Sequence, residues 1–307
     1  MNARSGRRKS KGIIFVFLAP AVLLYGFFFL YPAVRALRLS LYRWEGLKFV
    51  DAEFIGLGNF VKAFGDKWVW TAIKNNLLIM TLGGVLMFSF SLLFAVALTN
   101  KRFRGKGFFR AVIFYPYMIS GVGVGLFWNF VLNSRIGLLN GTLEAVGLGS
   151  LAQNWLGQPR LAMGWIIYVV VWWGIGFYML FLVAGIRTIP GALFDAAQID
   201  GASGLQIFLH VTLPLLREYL AIAAVLWIVE ALRTFGVVLL LTGGGPANRT
   251  HVLTTYMSKV AFNTPAGSAG AVFRLGYGTT IAVILMVLVV LGSLVYFRLS
   301  RAEALEF

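Results

Sequence analysis

The chain alternates long apolar stretches with short polar segments. A helix needs about 20 mostly apolar residues to cross the hydrocarbon core of a bilayer, and about six stretches of the sequence meet this length. They are residues 12–31, 77–98, 108–132, 161–186, 219–242 and 271–297. The third stretch contains Pro116 and three glycines, which favour a bend or close helix packing. The pattern predicts an all-α integral membrane protein with about six transmembrane helices.

Clusters of Lys and Arg beside the apolar stretches predict the orientation. One cluster lies in residues 1–11 and a second in residues 101–110. Both are cytoplasmic if two crossings separate them, and six spans then place both termini in the cytoplasm. Residues 12–297 form one transmembrane permease domain in this interpretation, with a short cytoplasmic tail at 298–307. Three arginines oppose the assignment, because they follow the first span on the outside: Arg35, Arg38 and Arg43.

The composition excludes several classes of protein. Hydrophobic residues make up 59% of the chain and charged residues 12%, whereas a soluble domain is about half apolar and a quarter charged. The net charge of +16 lies in short clusters beside apolar runs, which is typical of contact with lipid headgroups rather than with nucleic acid. The chain has no cysteine, so disulfides are excluded. His210 and His251 have no partners at metal-ligand spacing, and no metal site is predicted.

The predicted cytoplasmic segment 189–218 has the most particular order of residues. An alanine-rich run favours a helix over 192–199, and residues 205–211 form a second amphipathic pattern. Gly201 between them permits a sharp turn, because glycine takes positive φ at no steric cost. Pro214 interrupts the pattern before the fifth stretch. On these residues alone, an ordinary amphipathic loop on the membrane surface is the competing interpretation.

This order of residues resembles the EAA loop of binding-protein-dependent ABC permeases. That loop carries Glu-Ala-Ala, then an Asp-Gly-Ala group, then an apolar stretch ending in Leu-Pro. The matching positions are Asp195, Ala196, Ala197, Asp200, Gly201, Ala202, Phe208, Leu213 and Pro214. Asp195 stands where the family usually has Glu, which keeps the carboxylate on a shorter side chain. In addition, Leu-Thr-Gly-Gly-Gly-Pro at 241–246 resembles a segment of the carbohydrate-importing, maltose-type permeases, so the resemblance implies the type I importer permease fold.

The resemblance also implies partners and a mechanism. In that family the EAA loop docks on a separate ATP-hydrolysing subunit, so the nine matching residues are expected to couple this chain to an ATPase. The expected partners are two ATP-binding subunits, a second homologous permease in a heterodimer, and an extracytoplasmic sugar-binding protein. ATP and magnesium are expected on the ATPase, because this chain has no Walker sequence; it is expected to bind no cofactor and not to be an enzyme. The implied location is the bacterial cytoplasmic membrane.

Polar residues inside the apolar stretches suggest a path for the substrate. Glu230 and Arg233 lie within the fifth stretch, where ionisable groups are costly and usually functional, and with Thr234 they share one helix face. They form either an intrahelical ion pair or a polar patch for a sugar. Five residues fall at positions where maltose-type permeases contact sugar: Trp173, Gly174, Phe177, Glu230 and Thr234.

Two other functions compete with the importer. A secondary transporter or channel for small polar solutes would suit the composition, but such folds often contain internal repeats with interrupted helices, and the sequence shows none. A membrane-bound enzyme would need a nucleophile elbow or a paired-carboxylate site, and the polar segments contain neither. The EAA-type segment has no role in either alternative.

Overall fold

The computed structural model describes residues 17–45, 52–100, 103–262 and 273–302. The helices are α1 (Phe17–Leu39), α2 (Gly58–Gly65), α3 (Lys67–Thr99), α4 (Lys106–Met118), α5 (Gly121–Val131), α6 (Leu138–Ala145), α7 (Pro159–Thr188), α8 (Gly191–Ile199), α9 (Gly204–Leu215), α10 (Arg217–Arg233), α11 (Gly236–Thr242), α12 (Leu253–Phe262) and α13 (Leu275–Ala302). Two short strands, β1 (Tyr42–Arg43) and β2 (Glu53–Phe54), pair antiparallel. The predicted basic segment 1–11, residues 12–16 and 271–272 of the predicted spans, and residues 303–307 of the tail lie outside the described residues.

The predicted all-α membrane fold is confirmed. Among the described residues, α1, α3, α7 and α13 are long and apolar enough to cross a membrane. The pairs α4–α5 and α10–α11 pass the same test together, which gives up to six spans if each bent pair is one span. The helix α3 begins ten residues before the predicted 77–98, because Asp66 caps its N-terminus by accepting a hydrogen bond from the Trp68 amide (2.8 Å).

The third and fifth predicted spans are not continuous helices. The axes of α4 and α5 differ by 96°, and those of α10 and α11 by 41°. At the first break, Pro116 lies in a 3₁₀ turn, Ile119 is extended, and the Ser120 side chain caps α5 by accepting from the Gly123 amide (3.2 Å). The proline and the new cap explain why the chain changes direction there.

Two prolines near predicted helix boundaries lie inside helices. The first helix continues past Pro32 to Leu39, so the predicted end of the first span at residue 31 is wrong. Pro214 lies one residue before the end of α9 at Leu215, and a turn at Leu216 separates α9 from α10, which agrees with the predicted interruption before the fifth span. Each proline follows a π-helical turn, Gly26–Leu30 in α1 and Phe208–Thr212 in α9. A π turn widens the helix by one residue, which relieves the clash between the proline ring and the preceding turn.

The chain divides into two compact units, each described by itself. The first comprises residues 1–65 and 257–284. Within it, Asn59 donates its amide to the carbonyl oxygens of Ser40 (3.0 Å) and Tyr42 (2.8 Å), and the Thr280 hydroxyl also donates to Ser40 (3.1 Å). No described residue of α1 is buried, and most are exposed, so this helix presents most of its apolar surface outward.

The second unit comprises residues 66–256 and 285–307 and is organised around α3, α7 and α10. Ile79, Met87, Ile166 and Trp227 are buried in its main apolar cluster. The Trp227 indole donates to the Met80 carbonyl oxygen (2.8 Å) at a π turn of α3, which ties α10 to α3. This bundle carries every residue of the candidate site.

Candidate translocation path and coupling segment

The predicted coupling segment forms a helix–turn–helix, as the sequence indicates. The first helix, α8, ends at Ile199, and Gly201 has φ +75° in the turn, a conformation that favours glycine. The second helix, α9, starts with a capping box: the Ser203 hydroxyl accepts from the Gln206 amide (3.4 Å), and the Gln206 side chain accepts from the Ser203 amide (2.7 Å). Local caps on both sides of the turn therefore define one geometry.

One side of this segment is attached to the bundle and the other is open. Phe194 packs against the buried cluster around Leu98, Ile186 and Leu216, whereas Ile199 and Leu205 at the turn are 86% and 66% exposed. Of the predicted coupling residues, Asp195, Ala196, Asp200, Gly201 and Pro214 are exposed, and Ala197, Ala202, Phe208 and Leu213 are half-buried.

An aromatic stack lies where α4 meets α7. The rings of Tyr117 and Phe177 are stacked with centroids 4.9 Å apart, and the Trp173 ring lies 5.9 Å from Tyr117. The Trp173 indole donates to the carbonyl oxygen of Ile119 (3.0 Å), in the break before α5. The sequence singled out Trp173 and Phe177 but missed Tyr117, and the signal for it was its place between Pro116 and the glycine run.

Glu230 reaches the same region from α10. Its side chain is exposed. Its carboxylate is close enough to the hydroxyls of Tyr117 and Tyr178 to interact with them electrostatically. In the described part of the chain, no ion pair joins Glu230 to Arg233. The structure therefore does not form the intrahelical ion pair that was one of the two alternatives for these residues.

Gly174 and Thr234 occupy packing positions rather than the surface of the aromatic stack. A Cβ at Gly174 would lie 2.6 Å from Met87 Cε. Thr234 is the C-cap residue directly after α10; its hydroxyl donates to the Glu230 carbonyl oxygen (3.1 Å), and its carbonyl oxygen accepts from the Thr254 hydroxyl. The structure brings Trp173, Phe177 and Glu230 together with Tyr117. The other two predicted path residues, Gly174 and Thr234, lie beside this group.

The side chain of Asn76 stabilises the break in the fifth span. Asn76 donates its amide to the carbonyl oxygens of Ala231 (3.2 Å) and Leu232 (3.3 Å), and its own oxygen accepts from the Leu253 amide (2.9 Å). Carbonyls at a helix end lack intrahelical partners, so this one side chain satisfies groups that the break exposes. The sequence analysis missed Asn76 because a polar residue directly before an apolar stretch is interpreted as the boundary of the transmembrane span.

The glycine run at 241–246 is folded against a buried histidine. Gly244 has φ +84°, and a Cβ there would lie 2.0 Å from the His251 ring, so no larger residue fits. His251 is 2% exposed, and Asn75 donates to the carbonyl oxygens of Arg249 and His251 (2.8 Å each). His210 is exposed on α9. Within the described residues, no group of three His, Cys, Asp or Glu side chains is placed to hold a metal ion.

Comparison with known proteins assigns the family. Residues 87–303 match the family model described as "Binding-protein-dependent transport system inner membrane component". The chain belongs to this family. The permease is therefore a multi-pass membrane protein and a transport component rather than an enzyme, and the family predicted from the EAA-type segment is confirmed.

Relatives cover nearly the whole permease. A probable ABC transporter permease of Bacillus subtilis is 33% identical over 96% of this chain and 99% of its own length. The diacetylchitobiose uptake system permease of Streptomyces coelicolor is 30% identical over 97% of this chain and 87% of its own. A crystal structure of a bacterial alginate ABC transporter, in complex with an alginate pentasaccharide-bound periplasmic protein, contains a chain that is 26% identical with a TM-score of 0.77; the match covers 96% of both chains. The type I importer permease fold is thus shared over 96% of the chain.

Proposed function

We propose that this permease is one of two transmembrane subunits of an ATP-driven sugar importer in the bacterial cytoplasmic membrane. The observation that carries the proposal is the exposed helix–turn–helix α8–α9 at the segment predicted to be cytoplasmic. Its turn carries two large exposed apolar side chains, Ile199 and Leu205. Exposed apolar patches mark sites of interaction with proteins or membranes, and the resemblance of this segment to the EAA loop favours a protein partner.

In the proposed mechanism, α8–α9 docks in a cleft of the ATPase and transmits its motion to the bundle. Phe194 and Leu216 join the segment to the cluster that contains Leu98 on α3 and Ile186 on α7, so a displacement of the turn is passed directly to two spanning helices. Asp195 and Asp200 are exposed and are available to pair with cations of the ATPase. The shorter Asp195 carboxylate, in the place of the family's usual glutamate, requires a closer approach of its partner.

The aromatic stack and Glu230 suit a sugar. Aromatic faces pack on the apolar C–H faces of pyranose rings, and a carboxylate accepts hydrogen bonds from hydroxyl groups. Tyr117, Trp173 and Phe177 supply the first kind of group and Glu230 the second. The names of the relatives, which include a diacetylchitobiose uptake permease, and the structure with a bound alginate pentasaccharide on its periplasmic protein support a saccharide substrate class.

The proposed assembly contains several further proteins. A second, homologous permease would complete the path as a heterodimer, two ATP-binding subunits would bind ATP and magnesium, and an extracytoplasmic sugar-binding protein would deliver the substrate. This permease itself is proposed to hold no cofactor. A binding protein accompanies the structural neighbour, which supports that part of the assembly.

Expression of the tagged chain from its native gene cluster, extraction in mild detergent and identification of the co-purifying proteins test the proposal. We expect an ATPase with Walker sequences and a second six-span permease, and hydrolysis that a sugar-loaded binding protein stimulates. Purification of the chain alone, as an active homo-oligomer, would overturn the importer and favour a secondary transporter or channel. A glycan screen of the binding protein would then identify the sugar.

A further inference from the structure

A groove runs along the second unit between the N-terminal halves of α3 and α7. It encloses a cavity of about 640 Å³ and lies at the end of the bundle that the charge pattern predicts to be extracytoplasmic. Its polar end is lined by four cations, two from α3, one from α7 and one from the loop after α11: Lys67, Lys74, Arg160 and Arg249. No acidic side chain is among the described residues that line it.

The four cations are available to a ligand. Their side chains are exposed, and across the described ranges none of their charged groups forms an ion pair or a hydrogen bond with the protein. Lys67 contacts the ring of Trp68, with its Nζ 4.9 Å from the centroid. The acid next to Lys67 in the sequence, Asp66, is not among the residues that line the groove; it caps α3 and accepts from the Tyr256 hydroxyl (2.6 Å). The described lining of the polar end therefore contributes four positive charges and no negative charge.

The other end of the groove is apolar. Leu78 and Leu82 of α3 face Met163 and Ile167 of α7. Gly164 lies between the latter two, and a Cβ built there meets no atom within 4 Å, so the groove is open at this point rather than filled. A slot of aliphatic side chains beside a cluster of cations matches a molecule with an anionic head and a hydrocarbon chain.

The dimensions agree with one leaflet of a bilayer. Lys67, Lys74, Leu78 and Leu82 are spaced by multiples of about one helical turn and share one face of α3. At 1.5 Å per residue, Lys74 and Leu82 lie about 12 Å apart along the helix. Half of a hydrocarbon core of about 30 Å is about 15 Å. With Lys74 at headgroup level, Leu82 is thus at the depth of the acyl chain of the same leaflet.

We propose that this groove binds one anionic phospholipid, with its phosphate among the four cations and an acyl chain between Leu78, Leu82 and Ile167. The negative charge of the phosphate offsets part of the positive charge at the mouth of the groove, and the acyl chain fills the space beside Gly164. The lipid lies next to Asn75, whose side chain donates a hydrogen bond to the carbonyl oxygen of Arg249 and so joins α3 to the loop after α11. A lipid bound here therefore stabilises the N-terminal half of α3.

Native mass spectrometry of the full-length chain, purified with its bound subunits and delipidated, tests this site. The probes are phosphatidylglycerol and phosphatidylcholine with identical acyl chains, and the measurement is the dissociation constant of the first bound lipid. We expect phosphatidylglycerol to bind more tightly, and Arg160→Gln to weaken its binding about fivefold, the usual effect of one cation near a headgroup. Gly164→Leu fills the slot and is expected to lower the occupancy of both lipids.

Two matched variants serve as controls. Arg135→Gln removes an exposed arginine outside the groove, and Gly141→Leu adds the same side chain at a helical glycine of α6 that also has no atom within 4 Å. Both are expected to bind lipid as the unmodified protein does.

Three results would overturn the proposal. Equal affinity for the two lipids would show that the cations do not hold the headgroup. An effect of Arg160→Gln no larger than that of Arg135→Gln, or unchanged occupancy in Gly164→Leu, would place the bound lipid elsewhere. Binding of a uronate trisaccharide that Arg160→Gln abolishes, with phosphatidylglycerol unaffected, would assign the groove to an acidic saccharide.

Discussion

The side-chain amide of Asn76 donates to the carbonyl oxygen of Ala231, 155 residues further along the chain (3.2 Å). This contact joins α3 to the last turn of α10, just before the fifth span bends. Asn76 is 1% exposed, so bulk solvent does not compete for these hydrogen bonds. The bend near Glu230 is thus supported by a helix that is remote in sequence.

Replacement of Asn76 by leucine tests this support. Asn76→Leu keeps a similar volume but leaves the buried carbonyls of Ala231 and Leu232 and the Leu253 amide without a partner. An unsatisfied buried group costs about 1–3 kcal/mol, so we expect a clear fall in the thermal unfolding temperature of the purified protein. Thr81→Val, at an exposed residue that bonds only to its own helix, is the control and should change little. Equal stability of the two variants would contradict the role of Asn76.

The close crossing of α4 and α7 predicts a second stability effect. A Cβ at Gly176 would lie 2.4 Å from the Ile113 carbonyl oxygen and 2.5 Å from Phe114 Cα, and backbone atoms cannot move aside as a flexible side chain can. Gly176→Ala should therefore destabilise the protein by about 1–3 kcal/mol. Gly164→Ala on the same helix meets nothing within 4 Å and should be neutral or slightly stabilising, because alanine favours helix over glycine. Thermal unfolding of both variants in the same detergent decides the point.

Gly201 predicts an effect on coupling rather than on folding. The position is open, with no atom within 4 Å of a built Cβ, but its φ is +75°, which a β-branched residue adopts only with strain. We expect Gly201→Val to lose sugar uptake and stimulated ATP hydrolysis while membrane insertion is retained. Gly201→Asn should keep most of both, because asparagine tolerates the left-handed region. Survival of uptake and hydrolysis in Gly201→Val would show that the coupling assignment is wrong.

The aromatic stack and Glu230 predict an effect on substrate recognition. Glu230→Ala and Tyr117→Ala should each raise the KM for uptake and alter the range of sugars carried, since each removes a group placed to contact the sugar. Glu144→Ala, which removes an exposed carboxylate from α6, is the matched control for charge. Transport assays in proteoliposomes with the loaded binding protein measure all three. Unchanged uptake and substrate range in Glu230→Ala would remove Glu230 from the path.

The length of the apolar stretches predicted the all-α membrane fold, and the predicted six spans agree with the structure if each bent helix pair counts as one span. The fourth stretch, 161–186, lies within α7 with two residues to spare at each end, because a long apolar run without proline has one stable form in lipid. The helix–turn–helix of the coupling segment was also predictable, since Gly201 and the Ser203 cap act locally. In these elements, each residue's preference depends on its immediate neighbours.

The interruptions were less predictable, because they depend on distant partners. The first span was predicted to end before Pro32, yet a π turn before this proline accommodates its ring and the helix continues. The break after Arg233 leaves carbonyls that Asn76 satisfies, and Tyr117 joins the candidate site only because α4 crosses α7 at Gly176. No local pattern in the sequence reports such contacts, which arise only when the bundle forms.

The exposed apolar surface of α1 affects how long the protein persists in the cell. None of its described residues is buried within its own chain, so its apolar surface is covered by lipid or, in the proposed assembly, by another subunit. In the proposed heterodimer, the fraction of chains that are fully assembled would follow the law of mass action and would depend on how much of the second permease is made. Balanced production of the two permeases would then help to keep this protein intact, and surplus copies would be expected substrates of membrane proteases.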